Sequence, residues 1–323
     1  MNSNRRPLTL ALGLGIGLLA AAAARAETRI EKHLALDPGG RFTIESQVGS
    51  IVVRGHSASG VSVVVTSGRD DLEQLYDFSF QASPGEVRVS AKKRGGPSSW
   101  FSWSESRART RFEISVPRRT AVAVHASGGS VDLADLEGSA QVRCSGGSIA
   151  VQKLAGALEV HGSGGAVDLR EIGGNVRFSS SGGGLHAVAV AGGMAGHASG
   201  GSVEVEGVRG DLEVSSSGGG VRIHDAGGRV IADSSGGSVA VAFATGNGKG
   251  GTISSSGGSV RVQLDPSVGL DLSASSSEGG VTCDLPVTVQ GKVSRSALRG
   301  VLHGGGEKLT VRSSGGGVRL APL

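Results

Sequence analysis

From residue 127 the chain repeats a short pattern of apolar and polar positions. The tripeptide Ser-Gly-Gly begins at Ser127, Ser145, Ser163, Ser181, Ser199, Ser217 and Ser235, each step being 18 residues. Further copies begin at Ser256, at Ser277 (as Ser-Glu-Gly-Gly) and at Ser314. Within each unit the fifth position is apolar, as in Val131, Ile149 and Val167, and so is the seventh, as in Leu133, Val151 and Leu169. Apolar residues also fill positions 10, 14 and 16, and position 12 is glycine at Gly138, Gly156, Gly174, Gly192, Gly210 and Gly228. Alternation of this kind predicts strands with one face turned inward. The paired glycines supply either positive φ or close backbone approach at the turns.

A unit of 18 residues is too small to bury its own apolar face, so stacked neighbours must bury it. The expected fold is all-β. It is a single-stranded β-helix, or β-solenoid, whose equivalent residues stack ~4.8 Å apart. The apolar positions do not follow a six-residue period, which favours a right-handed or flattened helix over a left-handed hexapeptide one.

The flanks are less regular. Residues 1–26 read as a secretory signal peptide: Arg5 and Arg6, an apolar run from Leu8 to Ala24, then Ala24-Arg25-Ala26 as a cleavage site. No later apolar run is long enough to span a bilayer as a helix. Residues 27–126 are expected to form an irregular β-rich N-terminal cap, and residues 127–323 the solenoid. Arg41–Arg54 resembles a degenerate coil, and further strands are expected at Val61–Val65, Phe78–Ala82, Glu86–Ala91 and Phe112–Val116. The stretch Val287–Arg312 reads as an inserted or distorted coil.

Composition agrees with a narrow cross-section. Glycine supplies 57 of the 323 residues and aromatics only 3%, far from the balance of an ordinary globular core. Pro is only 8 and there is no Gly-X-Y period, which excludes collagen. The formal charge of +4 falls to +1 without Arg5, Arg6 and Arg25, so basicity gives no case for nucleic acid as a partner. Cys144 and Cys283 are too far apart in the repeat register to pair, and two free, mostly buried thiols are expected.

These residues resemble a bacterial β-strand-repeat family described as "putative adhesin", a domain of unknown function. The shared features are the N-terminal signal, a strand ending in Val116-Pro117, and the Ser-Gly-Gly-x-Val-x-Val coils. The resemblance covers roughly residues 40–320. It implies a β-helix at the cell envelope or surface, and it brings no catalytic residues.

Candidate chemistry is sparse. Outward residues at equal phase form columns, so His186, Glu204 and Arg222 should be vertical neighbours, as should Glu206 and His224. They could form an acid/base patch on a polysaccharide track or simple inter-coil ion pairs. The segment Lys92–Arg111 carries Trp100, Phe101 and Trp103 between basic residues, a composition suited to an anionic lipid surface or a sugar polymer. No repeated calcium-roll pattern, metal-ligand spacing or phosphate loop occurs, so no metal, cofactor or catalytic set is expected. The sequence thus points to an exported, non-enzymatic structural or binding protein of the envelope, in the periplasm or at the cell surface, with a glycan or another envelope polymer as its expected partner. The alternatives are a carbohydrate-active β-helix enzyme and an envelope-stress accessory protein docking through Lys92–Arg111.

Overall fold

A computed structural model describes residues 28–68, 71–94, 110–289 and 294–323. Among these residues the chain forms two sheets, one of 14 strands and one of 15, and a single helical turn at Leu72–Leu75. Each 18-residue coil contributes one strand to each sheet. Val131–Leu136 lies in the first sheet, Ala140–Cys144 in the second, and Ile149–Leu154 returns to the first. Successive coils pair in parallel, one repeat apart, as in Val131↔Ile149 and Ala140↔Leu158. The result is a two-sided β-solenoid.

The irregular spacing within the repeat has a backbone cause. Positions 7 and 10 both point inward, as Leu133 and Leu136 do, although strict alternation would send them to opposite faces. Position 9 absorbs the difference. Asp135, Lys153, Glu171, Ala189 and Asp225 all adopt φ between 54° and 59°, and Gly207 takes 69°. One left-handed residue per coil resets the phase of the strand.

The recurrent glycines answer a different need. A Cβ on Gly156 would lie 2.3 Å from the carbonyl oxygen of Gly138, and one on Gly147 would lie 1.9 Å from that of Gly129. Backbone packs on backbone between coils at both turns, leaving no room for a side chain. Close approach fixes these two columns, with positive φ added at Gly129 (79°).

A buried polar column clamps the Ser-Gly-Gly turn. The Ser216 hydroxyl donates to the Gly201 carbonyl one coil away (2.9 Å) and accepts the Gly219 amide (3.1 Å). Ser234 repeats this on Gly219 and Gly237, and Ser255 on Gly237 and Gly258. Cys144 occupies the same slot with its thiol near Gly129 and Gly147. Both cysteines are free; Cys144 is buried and Cys283 half-buried, with burial pushing the Cys283 thiol up from its ordinary value.

The stack does not follow chain order at its ends. Arg41–Ser46 sits between Glu86–Lys93 and Ala121–Ala126, and Ser50–His56 sits between Arg111–Pro117 and Val131–Leu136. Similarly, Glu307–Ser313 lies between Gly251–Ser255 and Leu270–Ser276, and Val318–Pro322 lies between Val260–Leu264 and Val281–Cys283. The first and last coils of the sequence are therefore both interior. Antiparallel strands cover the outermost ones: Thr28–Leu34 and Val61–Ser67, Tyr76–Ser83, and at the far end Ala297–Leu302 with Val287–Val289. The stretch Val287–Arg312 thus divides into two antiparallel covering strands and most of a regular coil strand.

Candidate functional site

The first sheet carries the patch expected from positions 6 and 8 of the repeat, to which His186, Glu204 and Arg222, and Glu206 and His224, belong. His186 pairs in register with Glu204, Glu204 with Arg222, and Glu206 with His224. Arg222 Nη1 lies 3.7 Å from Glu204 Oε1. His186 turns the other way, its Nδ1 lying 3.3 Å from Asp168 Oδ2. Arg170 holds the same carboxylate at 2.7 and 3.0 Å. The Arg170 hydrogen bond above all, with help from His186, keeps the Asp168 carboxyl below the usual aspartate range against the opposing effect of burial. These side chains are 40–61% exposed, so each pair contributes only about 0–1 kcal/mol. The arrangement is an open ladder of ion pairs on a flat face.

Trp100, Phe101 and Trp103 lie outside the described residues. The described chain leaves the second sheet after Lys93 and is in the first sheet from Arg111. Both flanks are tethered: Lys92 Nζ lies 3.8 Å from Glu45, Arg94 bonds Asp77, and Arg111 bonds Glu113 at 2.8 Å.

The second sheet carries a feature that the sequence reading passed over. A trough of about 630 Å³ runs along the axis across eight strands, from Arg41 at one end to Arg229 and Ile231 at the other. At the strand spacing of ~4.8 Å this is a channel about 34 Å long. It exists because position 13 is small in several coils, as at Ala121, Ser139, Ala157 and Gly193, and because Ala123 and Ala195 leave low walls. Polar side chains brace the turns beside it: Asn175 Oδ1 accepts the Gly193 amide (2.8 Å) and Asp211 Oδ1 that of Arg229 (3.0 Å).

Beside the trough stands a column of position-17 residues: His125, Arg143, His161, Ser179, His197 and Ser215, paired in sequence across six strands. His161 Nε2 lies 2.7 Å from Glu159 Oε1. His197 Nδ1 meets Ser215 Oγ at 2.9 Å, and its Nε2 faces Ser199 (3.2 Å) and Ser217 (3.4 Å). Those last two serines belong to the exposed turn column that runs from Ser127 along the whole edge. Trough, histidine column and serine edge are adjoining strips of one surface. The signal was present in the sequence: His125, His161 and His197 stand 36 residues apart, every second coil.

Comparison with known proteins places this geometry in a family. Solved structures with similar chains include a "putative lipid binding protein" from Parabacteroides distasonis, at 12% identity, with 91% of this chain and 96% of that one covered and a TM-score of 0.44. A "putative adhesin" from the same species matches at 10% identity, with 92% and 97% covered and a TM-score of 0.41. Another "putative adhesin", from Parabacteroides merdae, matches at 10%, with 90% and 95% covered and a TM-score of 0.35. No curated protein matches the chain. The Toastrack DUF4097 family model matches residues 41–321, spanning every interior coil from the first to the last. The chain belongs to the Toastrack DUF4097 family.

Proposed function

We propose that this protein is an exported, non-catalytic binding scaffold of the cell envelope, of the adhesin type, which holds one extended polymer along its stack. A glycan is the favoured class. The observation that carries this reading is the trough: it is long, runs parallel to the axis and is lined by apolar, polar and charged side chains. Sites for compact ligands are usually concave pockets that enclose most of the molecule. A channel repeated coil after coil instead suits a partner that is itself repetitive. The N-terminal signal-like segment supports export, and the open ion-pair ladder of the first sheet supports a binding rather than a catalytic role.

The test is binding of purified residues 27–323 to a panel of envelope and host polysaccharides by biolayer interferometry. Saturable binding to at least one is expected, together with its loss in Ala157→Trp, which would fill the middle of the trough. Unchanged binding in that variant would move the site elsewhere, and no binding across the panel would end the proposal. Protease shaving of intact cells then separates a surface adhesin, which is digested, from a periplasmic scaffold, which is protected.

A further inference from the structure

We propose that the outer face of the second sheet is a proton-gated site for an acidic polysaccharide, with His125, His161 and His197 as the gate. This rests on the scaffold reading above and adds to it the ligand class and its control.

The case begins with what faces each imidazole. His125 lies in register between Glu45 and Arg143. His161 lies between Arg143 and Ser179, with Glu159 bonded to it from its own strand. His197 lies between Ser179 and Ser215, and its ring nitrogens meet only serine hydroxyls. Diagonal neighbours add Gln141, Arg177 and Glu213. All three rings reach solvent: His161 is exposed and the other two are half-exposed.

The five strands from Ala121–Ala126 to Met194–Ala198 carry few other outward charges. Arg143 and Arg177 stand against Glu159, a net of +1. Hydrogen bonds from His161 and then Gln141 keep the Glu159 carboxyl below its ordinary range, so it stays ionised in mild acid. Three imidazolium charges raise these five strands to +4, and take the strip from −1 to +2 when the flanking Glu45 and Glu213 are counted. Histidine is the side chain whose charge ordinarily changes between about pH 5 and 8, and these three are the histidines on the five strands.

Geometry selects the ligand. The positions His125, Arg143 and His161 follow one another at ~4.8 Å steps, beside and parallel to the trough. A single chain lying in the trough can place successive carboxylates, sulfates or phosphates against them. A bilayer surface would rest on the strip without entering the trough.

The experiment uses residues 27–323 with polygalacturonate as the probe. Uncharged dextran and phosphatidylglycerol vesicles serve as comparators, at about pH 5.5 and about pH 7.5. The expected result is polygalacturonate binding about tenfold or more tighter at the lower pH, as three added charges on a surface strip allow. A triple variant, His125→Asn with His161→Asn and His197→Asn, should lose that pH dependence. The corresponding triple Arg variant should bind tightly at both values. Thermal melts of both variants check folding, and the two substitutions must shift binding in opposite directions. A pH dependence retained in the Asn variant would overturn the gate. So would binding no tighter in acid, or a preference for vesicles. Dextran binding without pH dependence would overturn the gate and leave the scaffold, whereas no polymer bound at all would remove both.

Discussion

At the scale of single residues, the Ser-Gly-Gly signature turns out to have a hidden partner. The serine visible in the repeat, such as Ser217 or Ser235, is exposed, while the residue before it does the structural bonding. Ser234 bridges the Gly219 carbonyl and the Gly237 amide, one coil apart, at 2.9 Å each. Removing its hydroxyl leaves two half-buried backbone groups without that partner. Ser234→Ala should therefore cost about 1–3 kcal/mol, read as a lower denaturant midpoint at constant slope. Cys144→Ser, which restores a hydroxyl to the same slot, should leave the midpoint unchanged or raise it. The sequence reading grouped Ser-Gly-Gly as the unit because those three residues recur most strictly. The preceding position varies among Ala126, Cys144, Gly162 and Ser180, which concealed its role.

At the scale of strands, the outward columns divide by sheet. The first-sheet column was legible from the 18-residue period alone, and the pairings His186–Glu204–Arg222 and Glu206–His224 follow that register. The period could not say which way each side chain would turn. His186 meets Asp168, while Arg222 faces Glu204. This has a consequence for pH. Asp168 is held below its ordinary range in the fold, chiefly by Arg170. Its small contribution to stability is therefore complete above the ordinary aspartate range and is lost as pH falls through the depressed folded value. Asp168→Asn should flatten the acid limb of a stability-versus-pH curve while changing stability at neutral pH by no more than about 1 kcal/mol. The second-sheet column obeyed the same period. Its histidines are harder to see in the sequence because they recur only at every second coil, with Arg143 and Ser179 between them.

At the scale of the molecule, the repeat identified the stack but not the order of its ends. Phe42, Ile44 and Ser46 show the same inward phase as Val122, Val124 and Ala126, and nothing in a strand's pattern names its neighbour. The chain was therefore readable as coils in sequence order, with an irregular cap at residues 27–126. The structure instead inserts Arg41–His56 and Glu307–Pro322 as penultimate coils. Removing residues 303–323 would open a slot with parallel strand edges on both sides, and such edges template association. That truncation should give a broadened thermal transition and concentration-dependent aggregation. A sharp melt with unchanged midpoint would show that the last coil is dispensable.

The interior seat of the final coil also bears on how the chain would be made and delivered. An ordinary solenoid can lengthen one coil at a time, so a prematurely ended copy is merely a shorter one. Here the closing segment fits between two coils that precede it in synthesis, Gly251–Leu264 and Leu270–Cys283. The slot between those coils stays open until Glu307–Pro322 has been synthesised. A copy that stops short of Glu307 leaves parallel strand edges open inside the stack, and such edges mark it for association or proteolysis.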